Sequence, residues 1–163
     1  MGAENSLVAI AEIAAALTGF SGIVVAFGRL KGRSWTTRER DKFADLLNHS
    51  GIALFAALTP LVFSNLESGS DPRLWMISSL IWSFFSILGL GFGVKRLWPG
   101  IPHDLEWGHL TWLGFFLLLI VQLVNASVWQ TAWPYLMALV GNLGFAFIRF
   151  LDLVNPRNED LPE

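Results

Sequence analysis

Five long apolar stretches constrain the fold of this chain more than any other feature of its sequence. Each contains about the 20 residues that a helix needs to cross a hydrocarbon core of about 30 Å. Backbone groups inside lipid must form their hydrogen bonds within the chain, so continuous stretches of this length are helices. We therefore predict an all-α, polytopic membrane protein with a single membrane domain, residues 1–163. The five predicted transmembrane helices cover roughly residues 7–28, 43–66, 74–94, 110–129 and 134–154.

The composition also indicates a lipid environment. Hydrophobic residues make up 53% of the chain and charged residues only 15%, whereas soluble domains average about 25% charged residues. The apolar surplus makes the lipid bilayer the expected partner, and the net charge of −2 gives no reason to expect a nucleic-acid partner. The chain has no cysteine, which excludes disulfides, thiolate metal ligands and cysteine nucleophiles.

Local signals mark several helix boundaries. Thr36 and Glu39 have the spacing of a capping box just before the second apolar stretch. Asp71 and Pro72 suit the N-cap and first-turn positions of the third stretch. The segment 110–154 is too long for one crossing, so it requires a tight helical hairpin near its "QTAW" segment.

The basic residues predict the orientation in the membrane. Ten of the 11 lysines and arginines fall in segments that share one side if the chain crosses five times. The positive-inside rule places that side in the cytoplasm, with the N-terminus outside and the C-terminus inside. The connector 95–109 is then a cytoplasmic, interfacial element. The basic residues between the first two helices that also suit contact with anionic lipid headgroups are Arg29, Lys31, Arg33, Arg38 and Arg40.

One acidic residue, Glu12, lies inside the first apolar stretch. A charged side chain at the centre of a transmembrane helix costs roughly 2.5–3.5 kcal/mol on insertion scales, so we expect Glu12 to face protein or a water-filled cavity. Counted from the start of the stretch, it lies about 7–8 Å below the outer surface. It shares a helix face with small residues that allow another helix to approach closely. These residues are Ala15, Gly19, Gly22 and Ala26.

A second polar cluster lies in the second apolar stretch, within the sequence "DLLNHS". Asp45, Asn48 and His49 share one helix face there. Histidine titrates near neutral pH, so His49 is a candidate proton relay or pH sensor; the simpler interpretation is a hydrogen-bonded packing residue. By depth, the expected neighbours of Asp45 and His49 are Arg29, Arg149 or Asp152. Arg149 is also spaced to pair with Asp152 on its own helix.

Further small residues predict close helix packing and self-association. Gly89 and Gly93 have the GxxxG spacing that lets helices approach within a chain or between chains. Five helices enclose little interior, so a pore is easier to build between subunits, and we predict a homo-oligomer. In the second stretch, Pro60 removes one backbone donor and frees a carbonyl, which favours a kink.

The sequence contains no catalytic constellation. It has no G-x-G-x-x-G, P-loop, H-E-x-x-H or G-x-S-x-G motif, so we expect neither an enzyme nor a bound cofactor. Glu106 and His109 have the E-x-x-H spacing of di-iron helical bundles, but such sites need two of these motifs and two further acids. No metal site is therefore predicted.

The run "AEIAAALTGFSGIVVAFG", residues 11–28, resembles the first helix of one group of small bacterial membrane proteins of uncharacterised function. Those proteins open with similar alanine- and glycine-rich segments around a glutamate. The resemblance covers these 18 residues. It implies a multi-pass protein of the bacterial inner membrane and supplies no activity.

Two functions are consistent with these features. In the first, the chain is an oligomeric channel or transporter subunit for ions or protons. Glu12 is then its outer polar site, and Asn48 and His49 form its inner one. In the second, the chain is a non-conducting scaffold or interaction protein, and its polar groups only hold helices together. The two hypotheses differ in whether Glu12 influences permeability or only assembly.

The predicted orientation can be tested at Lys31. A membrane-impermeant amine reagent should leave Lys31 unmodified in intact cells, because the positive-inside rule places this residue in the cytoplasm. The same reagent should modify it once the membrane is permeabilised, as read by peptide mass spectrometry. Modification of Lys31 from the periplasm would contradict the orientation.

Overall fold

The computed structural model describes residues 2–30, 36–64, 72–97 and 107–154. Within these ranges the chain is helical and contains no β-strand, so the all-α prediction is confirmed. A π-helical turn, Asn125–Trp129, continues the fourth helix directly. The five α-helices are α1 (Ala3–Leu30), α2 (Thr37–Ser64), α3 (Pro72–Leu97), α4 (Trp107–Val124) and α5 (Ala132–Val154).

Four helices in the described ranges are long and apolar enough to cross a bilayer, as expected of a multi-pass membrane protein. Their apolar parts are Ala3–Val24, Glu39–Ser64, Pro72–Leu90 and Ala132–Val154. The apolar part of the remaining helix, Leu113–Trp129, has 17 residues, and at 1.5 Å per residue it rises only about 26 Å. A fifth crossing, by α4, therefore stays a prediction.

Two of the predicted helix starts are present. The Thr36 N–H donates to Glu39 Oε2 at 2.9 Å, and the Glu39 N–H donates to Thr36 Oγ1 at 3.2 Å. This reciprocal pair is the predicted capping box at the start of α2. The next helix, α3, begins at Pro72, where the missing N–H of proline has no helical partner to lose.

The connector predicted at residues 95–109 lies largely outside the described residues, and its interfacial position stays a prediction. The charge pattern places it at residues 95–109, yet α3 continues through Leu97 and α4 already begins at Trp107. Helical structure therefore extends into both ends of the predicted connector. Residues 98–106 lie outside the described part of the chain.

The helix α2 lies at the centre of the packing, with its most extensive contacts to α5 and α1. Its contacts with α5 show that the two helices run antiparallel. Asp45 near the start of α2 meets Arg149 near the end of α5. Ala56, three turns further along α2, meets Tyr135 near the start of α5. The α2–α5 interface therefore extends over most of the depth of the bundle.

The predicted hairpin between α4 and α5 is confirmed, and Asn125 holds it together. Only Gln130 and Thr131 separate the π turn from α5. The Asn125 backbone oxygen accepts the Gln130 N–H at 2.8 Å, and its side chain forms two hydrogen bonds of 3.1 Å with the Thr131 backbone. The side-chain Nδ2 also donates to Ser79 Oγ on α3 at 2.9 Å. These bonds offset the left-handed conformation of Gln130, at φ 50°, which non-glycine residues seldom adopt.

Glycine allows α4 and α5 to pack closely. A methyl group at Gly114 would lie 2.7 Å from Cζ of Phe145, and one at Gly141 would lie 2.6 Å from Cδ1 of Leu118. Both distances are shorter than a carbon–carbon contact allows, so a Cβ at either position would require the Phe145 or Leu118 side chain to shift. Small residues thus bring helices together here. The predicted Gly89 also faces another helix, with 3.5 Å between its Cβ position and Asn48 Nδ2, and the surroundings of Gly93 lie outside the described residues.

A tyrosine of α5 compensates for the proline inside α2. Pro60 has no N–H, so the carbonyl of Ala56 lacks the donor that an α-helix would supply. The Tyr135 hydroxyl donates to this oxygen at 2.6 Å. Both Tyr135 and Pro60 are fully buried. The carbonyl that the proline frees is therefore satisfied by a neighbouring helix, and the bond joins α2 to α5.

This bond predicts the effect of Tyr135→Phe. The substitution keeps the ring but leaves the Ala56 oxygen without a donor at membrane depth, so the free energy of unfolding should fall by about 1–2 kcal/mol. Unfolding by sodium dodecyl sulfate in mixed micelles, followed by circular dichroism, measures this change.

The Pro60→Ala background provides the control. Alanine restores the backbone donor to the Ala56 carbonyl, so Tyr135→Phe should cost clearly less in this background than in the wild type. Equal costs in the two backgrounds would show that the hydroxyl does not replace the missing helical donor.

Candidate functional site

A chain of three charged residues closes one end of the α2–α5 interface. Arg149 Nε lies 3.5 Å from Asp45 Oδ2 on α2, and Arg149 Nη1 lies 3.6 Å from Asp152 Oδ2 one turn along α5. The arginine side chain is only 13% exposed, whereas the two acids are 48% and 39% exposed. One guanidinium thus bridges acids of two helices, which confirms the predicted pairing of Arg149 with Asp152 and its proximity to Asp45. With acids this exposed, each pair contributes less than about 1 kcal/mol.

His49 lies one turn further into the bundle, held by α4 and α5. Its Nδ1 lies 3.1 Å from Asn142 Oδ1, and because an amide oxygen only accepts, Nδ1 is the donor. The imidazole also packs against Phe115, at 5.4 Å between ring centroids, and against Phe145, at 5.6 Å. These contacts fix the position of the ring. His49 is therefore a hydrogen-bonded packing residue, and its role as a proton relay stays a prediction.

The helix α3 turns a polar face into the bundle. Its buried serines and Trp82 are at most 2% exposed. Ser79 accepts the hydrogen bond from Asn125 described above. Several other buried polar atoms have no hydrogen-bond partner among the described residues: the hydroxyls of Ser78, Ser83 and Ser86, Trp82 Nε1, Gln122 Oε1 and Asn142 Nδ2. The bundle interior is thus rich in polar groups, whereas large apolar side chains cover its exterior.

Asn48 lies on a different side of α2 from His49. It is exposed and lines a cleft of about 400 Å³ between α2 and α3. Gly89 forms part of the opposite wall, where a methyl group would lie 3.5 Å from Asn48 Nδ2. The predicted inner site is therefore divided: His49 faces α4 and α5, whereas Asn48 faces α3. The prediction that they form one site is wrong within a single chain, because consecutive helix positions point about 100° apart.

The structure places Glu12 on the exposed face of α1 and not inside the bundle. The small residues that share its face, Ala15, Gly19, Gly22 and Ala26, are exposed as well. A methyl group at either glycine would meet nothing within 4 Å. The buried face of α1 consists instead of Leu7, Ile10, Ala11, Ala14 and Ser21. Within one chain, the expectation that the Glu12 face packs on another helix is therefore wrong; contact with a second chain stays a prediction.

The bounds of the candidate span give Glu12 a greater depth than the count from the predicted stretch does. The candidate span runs over Ala3–Val24, so Glu12 is about 14 Å from its first residue and about 18 Å from its last at 1.5 Å per residue. That position is close to the middle of the span. Among the described residues, no hydrogen bond or ion pair involves its carboxylate.

Only part of the predicted headgroup and packing set can be located. The Arg40 side chain is exposed near the start of α2. Lys31 and Arg33 lie outside the described residues, as do the side chains of Arg29 and Arg38 and the surroundings of Gly93.

Sequence reasoning predicted Arg149 but missed the other two residues of α5 that satisfy α2. Tyr135, Asn142 and Arg149 bind Ala56, His49 and Asp45, respectively. They are spaced by seven residues, so they form one line along α5. This heptad repeat of polar residues in an apolar helix is the signal that could have identified the α2–α5 interface.

The chain stands apart in the comparisons with known proteins. No protein-family model, no curated protein and no solved structure matches it. Within the described ranges, no group of three His, Asp or Glu side chains is arranged to hold a metal ion. The geometry of the described helices is therefore the basis for proposing a function.

The His49–Asn142 bond can be tested by a double-mutant cycle. Asn142→Leu removes the acceptor of the buried ring N–H, so we expect the free energy of unfolding to fall by about 0.6–1.7 kcal/mol. In a His49→Phe background the same substitution should cost less, because no ring N–H is left unpaired. Detergent unfolding of the four proteins measures the coupling, and strictly additive costs would contradict the bond.

Proposed function

We propose that this chain is a subunit of a homo-oligomeric channel or transporter for protons or small ions in the bacterial inner membrane. In this proposal α4 also crosses the bilayer, which gives five spans with the N-terminus outside and the C-terminus inside. The observation that carries the proposal is the Glu12 carboxylate, exposed near the middle of a membrane-spanning helix.

The surroundings of Glu12 determine the free-energy cost of its charge. A charged side chain in lipid at this depth costs roughly 2.5–3.5 kcal/mol, and no described residue of the same chain compensates for it. Water or another subunit at this face removes the cost. Carboxylates that meet water inside a membrane typically lie on ion or proton pathways.

The helix face around Glu12 leaves room for a second helix. Gly19 and Gly22 have free space where a Cβ would lie, so the backbone of a neighbouring helix can approach closely there. The interior of the chain is filled by the α2–α5 contacts and the buried aromatic rings. A pathway that includes Glu12 therefore lies between subunits, with α1 of each subunit facing it.

A second candidate function, a non-conducting interaction protein, is favoured by the interior of the bundle. His49 is bonded to Asn142, Asn125 to Ser79, and Arg149 to two acids. These groups hold helices together without forming a continuous aqueous path. In this reading Glu12 only fixes the contact between subunits.

Flux measurements with Glu12→Gln separate the two functions. Protein reconstituted in phosphatidylethanolamine–phosphatidylglycerol vesicles should conduct protons or cations, and Glu12→Gln should lower the flux by about tenfold or more, equivalent to about 1.4 kcal/mol. Glu4→Gln is the matched control: it neutralises an exposed acid in the first turn of the same helix and should leave the flux unchanged.

Light scattering in detergent and in nanodiscs measures the oligomeric state of the wild type and of the Glu12→Gln variant. A change in assembly after Glu12→Gln, with no flux in the wild type, would overturn the channel proposal and support the interaction protein. A monodisperse monomer in detergent and in nanodiscs would overturn both.

A further inference from the structure

The cleft between α2 and α3 has the size of a small-molecule site. Its volume of about 400 Å³ lies within the roughly 300–1,000 Å³ of ligand pockets. Two of its lining residues, Phe55 and Phe85, are 71% and 55% exposed, so the cleft opens at the bundle surface where lipid lies. Among the described residues, no charged side chain lines it. A ligand of this cleft is therefore neutral and reaches it from the membrane.

The exposed amide of Asn48 is available to a ligand in the cleft. The Thr59 hydroxyl donates to the Phe55 carbonyl at 2.9 Å, so its proton is already used. No hydrogen bond between the Asn48 amide and another described residue is present. Asn48 lies about 14 Å from Glu39, the first residue of the span. Because the cleft walls are mostly apolar, a ligand oxygen that bonds to this amide gives it a hydrogen-bond partner that the walls do not offer.

Two glycines give the cleft its width beside this amide. A methyl group at Gly51, one turn from Asn48, would meet nothing within 4 Å. Gly89 faces Asn48 from α3, with 3.5 Å between its Cβ position and the amide nitrogen. Larger residues at these positions would project into the cleft. The free space therefore lies next to the exposed Asn48 amide, whereas Trp82 Nε1, which also lacks a partner among the described residues, is buried.

The walls of the cleft are rich in aromatic rings. Phe55, Trp82 and Phe85 all line it. Aromatic side chains pack well against flat rings in offset or edge-on arrangements. We propose that the cleft binds a neutral, lipid-soluble ligand that carries a ring and a carbonyl or hydroxyl oxygen, with the Asn48 amide as its hydrogen-bond partner.

A phospholipid acyl chain is the competing occupant. Its hydrocarbon part would pack against the apolar walls, but this part offers no hydrogen-bonding group to the Asn48 amide, which would stay unpaired. A ring-bearing ligand packs against the aromatic walls and also forms a hydrogen bond with the amide. No residue of α1 lines the cleft, so this inference is independent of the role proposed for Glu12, and either can fail alone.

Photolabelling with benzophenone tests the inference on the full chain in phosphatidylcholine nanodiscs. Benzophenone is neutral, carries two rings and one carbonyl, and on irradiation that carbonyl inserts into neighbouring C–H bonds. Peptide mass spectrometry should find most label on α2 and α3 around the cleft. Naphthol should compete with this label, and naphthalene, which has the same rings without the oxygen, should compete about threefold to tenfold less well.

Three variants identify the site. Gly51→Leu fills the space beside Asn48 and should lower labelling at the cleft to the level of the exposed faces of α4 and α5. Gly144→Leu is the matched control, because this glycine also has nothing within 4 Å of its Cβ position but lies on α5, away from the cleft. Asn48→Leu should preserve labelling and abolish the advantage of naphthol over naphthalene.

Two results would overturn the inference. Wild-type labelling in proportion to exposure over all helices would mean that the cleft takes acyl chains only. Equal competition by naphthol and naphthalene in the wild type would show that Asn48 does not bond to the oxygen of the ligand. Circular dichroism and gel filtration verify the fold of each variant, and if Gly51→Leu does not fold, the competition experiment on Asn48→Leu decides.

Discussion

Polar groups at membrane depth must find partners without the help of bulk water, and the architecture of this bundle follows from that requirement. The interface of α2 with α5 shows it most clearly. Pro60 leaves one carbonyl of α2 without a donor, and Tyr135 supplies one from α5. Further along the same interface, Asn142 accepts from His49. The polar side chains of α5 thus complete the hydrogen bonding of α2.

The same requirement explains why Asn125 lies at the end of α4. A turn of two residues exposes backbone groups that a longer loop could satisfy by itself. One asparagine side chain binds the Thr131 backbone on both its donor and its acceptor sides and also reaches Ser79 on α3. Three helices are therefore linked through one amide. Glu12 and Asn48 differ from these groups because they lie on exposed faces without a described partner, and for this reason they carry the functional proposals.

The fold was largely predictable from the sequence. Helix length and apolarity depend only on local composition, so four of the five predicted spans are present as apolar helices of sufficient length. The capping box at Thr36 and Glu39 is equally local, because both partners lie within one turn. The break before α5 followed from length alone. The pairing of Arg149 with Asp152 was predictable because helical spacing fixes that distance.

Which face of each helix is buried was not predictable to the same degree. In a membrane the exterior is as apolar as the core, so hydrophobic periodicity does not tell which face of α1 is buried. A face of small residues indicates close approach, but not whether the second helix belongs to the same chain. The partner of His49 lies 93 residues away, and no local rule selects Asn142 among the available amides. Distances of this kind are set by the whole bundle and emerge only with the structure.

The two-residue connection between the π turn and α5 has a consequence for biogenesis. A long polar loop would have to be translocated through the insertion machinery, whereas Gln130 and Thr131 present almost nothing to carry across. The aromatic rings of Trp129 and Trp133 lie 5.6 Å apart at this tip and are both exposed. Tryptophan favours the headgroup region, so in the proposed five-span topology this tip lies at a membrane interface.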